Sequence, residues 1–247
     1  MKAIYGLLGY PLGHSFSKMY FNEKFQSENI LAEYRNFEIE DISLIREVVL
    51  TEPNLCGLNV TIPYKESVIK YLDDLDEKAE RIGAVNVIKF IRQKNRIRLV
   101  GYNSDVVGFK KSIEPLLPIG CADALILGTG GVSKAVYCAL EDLGIHPVYV
   151  SRMPSKGQLS YPDLDKFIME RYKIIVNTTP LGMYPNVEFC PHIPYDLIAP
   201  GTLAYDVIYN PEETLFMKKA KARGAVVKNG LEMLLLQADE AWRIWNL

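Results

Sequence analysis

Hydrophobic positions along the first hundred residues alternate between strand-like runs and helix-like spacing. Three runs are short and strand-like, at residues 2–9, 34–39 and 57–62. Three other segments carry apolar positions at helical spacing, at residues 17–29, 42–50 and 66–72. Strands that alternate with helices in this way predict an α/β layer with a largely parallel sheet.

A strand pair and a second α/β rhythm follow. The pair is predicted at residues 85–90 and 97–100, on either side of a polar turn. From Ala124 onward come ALILG, a helix at 132–143, PVYVS, a helix around 164–172, KIIVNTTP and TLAYDVIY. These later strands are apolar along their whole length, which is typical of strands covered on both faces. We therefore expect two domains, with the boundary near residues 101–120.

The composition limits the classes of function. The chain has 247 residues, of which 49% are hydrophobic and 23% are charged, as in globular proteins with a buried core. A formal net charge of −2 gives no basic field, so we expect a small-molecule ligand rather than nucleic acid or an anionic membrane. The start lacks the pattern of a signal peptide and no run reaches transmembrane length, so we expect a cytoplasmic protein.

Neither the cysteines nor the histidines are spaced as metal ligands. The four cysteines lie far apart along the chain and fit neither a metal site nor a disulfide framework. The three histidines, at positions 14, 146 and 192, also lack ligand spacing. No Ser-His-Asp signature such as G-x-S-x-G is present. The sequence thus predicts no metal site and contains no serine-hydrolase signature.

A glycine-rich loop joins a predicted strand to a predicted helix. In Gly128-Thr129-Gly130-Gly131-Val132, Gly128 suits the tight turn and Gly130 lets the backbone approach a pyrophosphate. The start of the following helix offers free N–H groups and the positive end of a dipole. Ser133 stands where the dinucleotide pattern has Gly or Ala, and a plain strand-to-helix turn is the alternative. The context favours a dinucleotide site.

The end of the next predicted strand indicates which dinucleotide binds. NAD-selective sites usually carry an acid there for the ribose 2′-hydroxyl, whereas this chain has Ser151-Arg152-Met153-Pro154-Ser155-Lys156. Arg152 can grip a 2′-phosphate, with Ser151, Ser155 and Lys156 as further donors. A solvated basic loop is the alternative, above all for Lys156. We therefore expect NADP as the cofactor.

Several polar residues lie at predicted strand ends in the first domain. Lys65 ends GLNVTIPYK, Asn86 ends GAVN and Asp105 ends GYNSD. Ligands of open α/β sheets bind at the carboxyl edge, so Lys65 either moves a proton or is an ordinary solvated lysine. Asn86 and Asp105 can equally be turn formers. Ser15 and Ser17 follow the first strand, and helix capping, for Ser17 in particular, is their alternative role.

Eight segments, taken together and in order, resemble the shikimate dehydrogenase family. They are GYPLGHSFS, GLNVTIPYK, GAVNV, GYNSD, GTGGVSKA, VNTTPLGM, YDVIYNPEETLF and NGLEMLLLQADEAW. The resemblance implies reversible reduction of 3-dehydroshikimate to shikimate with NADPH, in the biosynthesis of chorismate and aromatic amino acids. It also implies two α/β domains with the active site in the cleft between them. These are a substrate domain, residues 1–105 completed by the helix at 231–247, and a Rossmann-like NADP-binding domain at 106–230.

The resemblance also implies roles for individual residues. Ser15 and Ser17 correspond to hydroxyls that bind the substrate carboxylate, and Tyr209 to a tyrosine near it. The other residues expected at the substrate are Thr61, Lys65, Asn86 and Asp105 around the ring hydroxyls, and Gln237. The residues expected at the cofactor are Gly128, Thr129, Gly130, Gly131, Val132, Ser151, Arg152, Lys156, Val207, Gly230 and Met233. Lys65 and Asp105 form the expected catalytic pair, and which of them carries the proton is left open.

A few positions depart from the family pattern. They are Lys18 in place of proline, Val87 and Ser104 in place of threonine, Ser151 in place of asparagine, and Glu232 in place of glycine. We expect these changes to alter rate or stability rather than the reaction class. Two alternative functions remain, a dehydrogenase of broader specificity that also accepts quinate, and a non-catalytic NADP-binding protein. Both a monomer and a homodimer are compatible with the sequence.

Overall fold

The computed structural model describes residues 2–13, 15–93 and 96–247. The chain divides into two compact units, one made of residues up to Ser104 together with Ala238–Leu247 and the other of Asp105–Gln237. The sequence expectation placed the division after residue 105 and at residue 231. The structure divides the chain one residue earlier at the first point, and within the last helix at the second.

The first unit contains a six-stranded sheet and short helices. Its elements are β1 (Ala3–Gly9), α1 (Phe16–Ser27), β2 (Ala32–Glu38), α2 (Ile45–Thr51), β3 (Leu55–Val60), β4 (Asp74–Leu75), α3 (Glu77–Ile82), β5 (Val87–Gln93) and β6 (Arg96–Tyr102). The strand order is β2-β1-β3-β5-β6-β4. The predicted strands in this half of the chain are confirmed, with bounds that shift by a few residues.

The first sheet is mixed: the strands that alternate with helices pair in parallel, as expected, and the predicted strand pair adds antiparallel pairing. β1 pairs in parallel with β2 and β3, whereas β5 is antiparallel to both β3 and β6. The reason is the short turn between β5 and β6, which joins antiparallel strands but cannot cross over between parallel ones. As a consequence the carboxyl ends of β1, β3 and β6 lie at the same edge of the sheet as the amino end of β5.

Two predicted helices are shorter or tighter than their apolar spacing suggested. The segment predicted as a helix at 66–72 forms only a 3₁₀ helix, Ser67–Tyr71, because the N–H of Asp73 then donates to the carbonyl of Leu99 at 2.9 Å. The segment predicted at 42–50 divides into a 3₁₀ helix, Ile42–Leu44, followed by α2. Asp41 caps its start by accepting a bond from the N–H of Ser43.

The second unit is built on a fully parallel sheet. Its elements are α4 (Asp105–Ile113), β7 (Asp123–Leu127), α5 (Gly131–Glu141), β8 (His146–Ser151), β9 (Leu159–Ser160), α6 (Lys166–Arg171), β10 (Ile174–Asn177), β11 (Leu203–Asp206), α7 (Leu215–Lys221) and β12 (Val226–Lys228). The strand order is β12-β11-β10-β7-β8-β9. The order reverses between β7 and β10, which is where doubly wound sheets bind ligands beyond the carboxyl ends of their strands.

The last helix, α8 (Leu231–Trp245), begins in the second unit and ends in the first. Its final turn is held by an aromatic cluster, in which the ring of Trp245 lies 4.8 Å from Tyr5 and 5.3 Å from Phe21 between centroids. The indole N–H of Trp245 donates to the carbonyl of Ile88 at 3.1 Å. A side chain on Gly57 would overlap this indole, so glycine on β3 makes the close packing possible.

Candidate active site

Three backbone hydrogen bonds bring the strand-end residues of the first unit together at one sheet edge. The N–H of Thr61 donates to the carbonyl of Leu8 at 2.9 Å, which fixes the exit of β3 beside that of β1. The N–H of Val60 donates to the carbonyl of Asn86 at 2.9 Å. The N–H of Val85 donates to the carbonyl of Lys65 at 2.7 Å, so the backbone at Lys65 lies against the residue that precedes Asn86.

Asn86 is buried, and both the oxygen and the nitrogen of its side-chain amide are hydrogen bonded to Ser104. The side-chain carbonyl accepts the backbone N–H of Ser104 at 2.7 Å, and the amide nitrogen donates to Oγ of Ser104 at 3.0 Å. This serine, which replaces the threonine usual in the family pattern, therefore retains a hydroxyl bond to the asparagine. Asp105, the next residue in the chain, is 5% exposed and begins helix α4 of the second unit.

The two serines after β1 lie at the start of helix α1. Ser15 is the N-cap residue, since its hydroxyl accepts the backbone N–H of Lys18 at 3.2 Å. The suggestion that Ser17 in particular caps the helix was wrong, because Ser17 lies inside the first turn. Its side chain lies near enough to Tyr34 on β2 to oppose the rise in pKa that burial gives this phenol. Both serines are partly exposed.

In the second unit, the glycine loop has the geometry that its sequence predicted. Gly128 has φ +103°, in the left-handed region that favours glycine, and its N–H donates to the carbonyl of Val150 at 3.0 Å. Gly130 is the N-cap of α5 and provides no side chain to bond the first N–H groups of the helix. Thr129 and Gly130 are exposed. This loop can therefore present free backbone donors to an anion.

Ser133, the residue that departs from the dinucleotide pattern, is accommodated inside the loop. It is fully buried, and its hydroxyl donates to the carbonyl of Gly130 at 2.6 Å. Gly128 in turn packs against the loop that follows β10, where a Cβ would lie 3.0 Å from the methyl group of Thr179. A serine in place of Gly or Ala thus leaves the turn intact.

The loop after β8 carries exposed cations and no carboxylate. Ser151 ends the strand, and its hydroxyl accepts the backbone N–H of Met153 at 3.1 Å. Arg152 and Lys156 are exposed, and the guanidinium of Arg152 lies near enough to Tyr161 to oppose the rise in pKa that burial gives this phenol. The side chains in this loop can bind a second phosphate group.

Several further residues that the sequence predicts at the site make close contacts within the second unit. Gly230 contacts the backbone of Val207 so closely that a side chain would overlap it, and its N–H donates to the carbonyl of Ile208 at 3.0 Å. A Cβ on Gly108 of α4 would lie 2.7 Å from the carbonyl oxygen of Met233 and 3.0 Å from Cβ of Gln237. Helices α4 and α8 therefore touch at this point.

The contact at Gly108 defines the face of α4 on which Asp105 lies. Residues three apart on a helix share a face, so Asp105 is on the side of α4 that packs against α8 near Gln237. The amide nitrogen of Gln237 donates to the carbonyl of Leu234 at 2.9 Å. Tyr209 is 37% exposed and lies beyond the end of β11. The structure thus places Asp105 on the face of α4 that packs against α8, and it packs Gly230 against Val207.

Two comparisons with known proteins decide the family. A family model described as the shikimate dehydrogenase substrate binding domain matches residues 7–88. A shikimate dehydrogenase (NADP(+)) of Bacillus cereus (strain B4264) is 36% identical, and the alignment covers 100% of this chain and 93% of that relative. The chain belongs to the shikimate dehydrogenase family.

Solved structures of shikimate dehydrogenases have the same fold. A chorismate mutase/shikimate 5-dehydrogenase fusion protein from Clostridium acetobutylicum is 37% identical with a TM-score of 0.87, over 100% of this chain and 92% of that one. Shikimate 5-dehydrogenase from Thermus thermophilus, in complex with NADP(H) and shikimate, is 28% identical with a TM-score of 0.85, over 98% and 93% of the two chains.

Glu232 is the most unusual departure from the shikimate dehydrogenase pattern, and the structure gives it a partner. Its carboxylate pairs with the ammonium of Lys228 at 2.6 Å, across one turn between the end of β12 and the start of α8. The negative charge also lies in the first turn of the helix, where the helix dipole favours it. The added charge is therefore compensated locally.

Sequence reasoning missed a buried polar network in the second unit of this chain. Asp206, at the end of β11, accepts bonds from Thr214 Oγ1 at 2.6 Å, Asn177 Nδ2 at 3.1 Å and the N–H of Ile208 at 3.0 Å. The side-chain oxygen of Asn177 accepts a bond from the hydroxyl of Thr179 at 2.7 Å. The available signal was an acid or amide that ends an otherwise apolar strand. The network supports the loop against which Gly128 packs.

We predict a pH-dependent contribution of Asp206 to stability. Burial raises the pKa of Asp206 to about 6, against bonds from Thr214, Ile208 and Asn177 that lower it. Between about pH 4 and pH 6 the native state therefore binds more protons than the unfolded state, so this contribution falls as the pH rises. Relative to Asp206→Asn, the parent should lose about 2 kcal/mol of unfolding free energy between pH 4 and pH 7.

Urea denaturation of both proteins across this pH range measures the difference. Asp163→Asn is the contrasting variant, because bonds from Ser160 lower the pKa of this exposed carboxyl. There the parent should gain stability relative to the variant as the pH rises toward neutrality. A difference between parent and Asp206→Asn that stays constant from pH 4 to pH 7 would contradict the prediction.

Two further observations concern the part of the chain that the structure describes. Within residues 2–13, 15–93 and 96–247, no group of three or more His, Cys, Asp or Glu side chains is arranged to hold a metal ion. Over the same ranges, no helix is both long and apolar enough to cross a membrane.

Proposed function

We propose that this chain catalyses the reversible, NADP-dependent reduction of 3-dehydroshikimate to shikimate. The observation that carries the proposal is the single sheet edge at which Thr61, Lys65 and Asn86 are held beside the exit of β1, in a chain of the shikimate dehydrogenase family. An edge lined by an ammonium, an amide and a hydroxyl suits a substrate with several hydroxyl groups and one carbonyl.

We assign the substrate to the residues at this edge, together with Tyr209, Asp105 and Gln237. The hydroxyls of Ser15 and Ser17 bind the carboxylate, and Tyr209 lies near it. The ring hydroxyls are bound by Thr61, Lys65, Asn86, Asp105 and Gln237. The rigid hydrogen bonds at Asn86 support this assignment, because an amide that is already oriented loses little freedom on binding. The first unit is therefore the substrate domain, in keeping with the family model that matches it.

The second unit holds the cofactor, and its residues fit NADP. Gly128 to Val132 would hold the pyrophosphate, whose charge suits the free N–H groups at the start of α5. Ser151, Arg152 and Lys156 would bind the 2′-phosphate, in a loop with no acid to repel it. Val207, Gly230 and Met233 would hold the nicotinamide. When bound, NADPH supplies the hydride that reduces the substrate carbon.

Lys65 and Asp105 serve the proton transfer that accompanies the hydride transfer. In reduction the ammonium of Lys65 donates a proton to the substrate oxygen, and in oxidation the neutral amine accepts one from the hydroxyl. Asp105 orients the same oxygen. The buried position of Asp105 directly after Ser104 supports this pairing.

A spectrophotometric assay tests the proposed function. The purified chain is given shikimate or quinate, each with NADP or NAD, and the absorbance of the reduced nicotinamide is followed. We expect turnover to be fastest with shikimate and NADP. Comparable turnover of quinate would favour the broader dehydrogenase, and NADP binding without any turnover would favour a non-catalytic protein.

Replacing Arg152 with alanine should erode the preference for NADP. Loss of a charge-assisted bond to the 2′-phosphate should lower the ratio of kcat/KM for NADP over NAD by at least about 10-fold. Lys166→Ala, which removes an exposed cation elsewhere in the same unit, is the matched control and should leave the ratio unchanged. Equal kcat/KM values for the two cofactors in the parent would contradict the assignment of Arg152 to the 2′-phosphate.

A further inference from the structure

A buried tyrosine and a buried asparagine lie beneath the substrate edge, and the proposed mechanism assigns them no role. Tyr34 of β2 and Asn59 of β3 are 0% and 6% exposed. The hydroxyl of Tyr34 donates to the side-chain carbonyl of Asn59 at 2.7 Å. Because β1 lies between β2 and β3 in the sheet, this bond links two strands that do not pair with each other.

The asparagine continues the connection toward the proposed hydroxyl-binding residues. The amide nitrogen of Asn59 donates to the backbone carbonyl of Asn86 at 3.2 Å. The side chain of Asn86 then binds Ser104, the residue before Asp105. With its oxygen bonded to Tyr34 and its nitrogen to Asn86, the amide of Asn59 has one defined orientation.

The tyrosine continues the connection toward the proposed carboxylate-binding serines. Phe21 of α1, one turn after Ser17 on the same helix, stacks on the Tyr34 ring with centroids 4.8 Å apart. The backbone of Tyr34 is also bonded twice to the side chain of Asn22, at 2.9 and 3.0 Å. Tyr34 therefore fixes where helix α1, with both serines, sits on the sheet.

We propose that Tyr34 and Asn59 form a positioning bridge that sets the separation between Ser17 and Asn86. The inference rests on the proposed function, in which these two residues bind opposite ends of the substrate, its carboxylate and its ring hydroxyls. A rigid ring that carries both groups binds well only if the two protein contacts stand at the matching distance. The bridge supplies that rigidity through buried bonds that leave neither side chain free to rotate.

Tyr34→Phe tests the bridge in the full chain, because it removes one hydroxyl and keeps the ring that stacks on Phe21. We expect kcat/KM for shikimate to fall by at least about 10-fold, while KM for NADP changes by less than about two-fold. For the methyl ester of shikimate, which lacks the carboxylate charge, kcat/KM should fall much less. The ratio of kcat/KM for shikimate to that for its methyl ester should therefore decrease, whereas a purely structural role would lower both values equally.

Tyr205→Phe is the matched control from the second unit. Tyr205 is also 0% exposed and shares a hydroxyl bond of 2.7 Å with Ser112, so the variant loses a comparable buried bond. It should keep the parent's discrimination between acid and ester. A second variant, Asn59→Ser, should also lower kcat/KM for shikimate. The double variant Tyr34→Phe/Asn59→Ser should lose less activity, in free-energy terms, than the sum of the two single losses, because both substitutions break the same connection.

The outcomes separate the bridge from the proposed function. A parent that does not turn over shikimate would overturn the proposed function and the bridge with it. An active parent whose Tyr34→Phe and Asn59→Ser variants keep their kcat/KM for shikimate, or lose acid and ester activity equally, would overturn the bridge alone. A loss confined to the acid, with KM for NADP preserved, supports it.

Discussion

Lys65→Ala should lower the turnover number with shikimate by at least about 100-fold, the loss expected for removal of a positioned acid or base. KM for NADP should change little, because the cofactor residues lie in the second unit. The backbone at Lys65 is bonded to Val85, so the substitution removes the ammonium without releasing the chain that carries it. Initial rates at saturating substrate and cofactor measure the effect.

Control variants show whether the effect belongs to this lysine. Lys70→Ala removes an exposed ammonium from the next turn of the chain, where it lies over the ring of Tyr71. That variant should retain the activity of the parent. A folded Lys65→Ala protein with near-normal turnover would contradict the catalytic assignment.

Two further substitutions distinguish proton transfer from electrostatic support at Lys65. Lys65→Met keeps most of the bulk and removes the charge, whereas Lys65→Arg keeps the charge on a group that does not release its proton near neutral pH. If Lys65 carries the proton, both variants should be as slow as Lys65→Ala. If the ammonium only stabilises the substrate oxygen while Asp105 moves the proton, Lys65→Arg should recover a large part of the rate.

Trp245→Ala should be the most destabilising of the substitutions considered. The indole is buried in the aromatic cluster with Tyr5 and Phe21, and its removal leaves a cavity and an unsatisfied carbonyl at Ile88. Replacing a large buried aromatic residue with alanine costs about 3–5 kcal/mol. For a chain of this size the melting temperature should fall by roughly 10 °C.

Neighbouring variants test the packing explanation for Trp245. Leu247→Ala changes an exposed residue two positions later and should leave the melting temperature unchanged. Gly57→Ala should destabilise the parent, because its methyl group overlaps the indole. In the Trp245→Ala background the same methyl group should be tolerated, since the space is then empty. Additive effects of the two substitutions would contradict the packing explanation.

Much of the second unit followed from local features of the sequence. An apolar strand, a left-handed Gly128 and a helix start are properties of about ten consecutive residues, and the structure contains all three. The absence of an acid after β8 is equally local and points to a phosphate rather than a ribose hydroxyl. These features were predictable because turn geometry and hydrophobic periodicity act within a single segment.

The first unit was less predictable for reasons that involve distant residues. The mixed sheet depends on where the hairpin of β5 and β6 inserts, and apolar patterns do not specify which strands become neighbours. The short 3₁₀ segment after Lys65 ends because Asp73 pairs with Leu99. Strand pairing overrides the helical spacing of that segment.

The sequence by itself determined most of the longer strands and helices, the glycine loop, the cationic loop after β8 and the polar residues at strand ends, but not the short elements β4, α3, β9 and β12. Only the tertiary structure decided which of these polar residues meet. Tyr34 and Asn59 are 25 residues apart, and Trp245 bonds to a carbonyl 157 residues away. Such contacts depend on strand order and register, which are set by the packing of the whole unit rather than by the properties of any one segment.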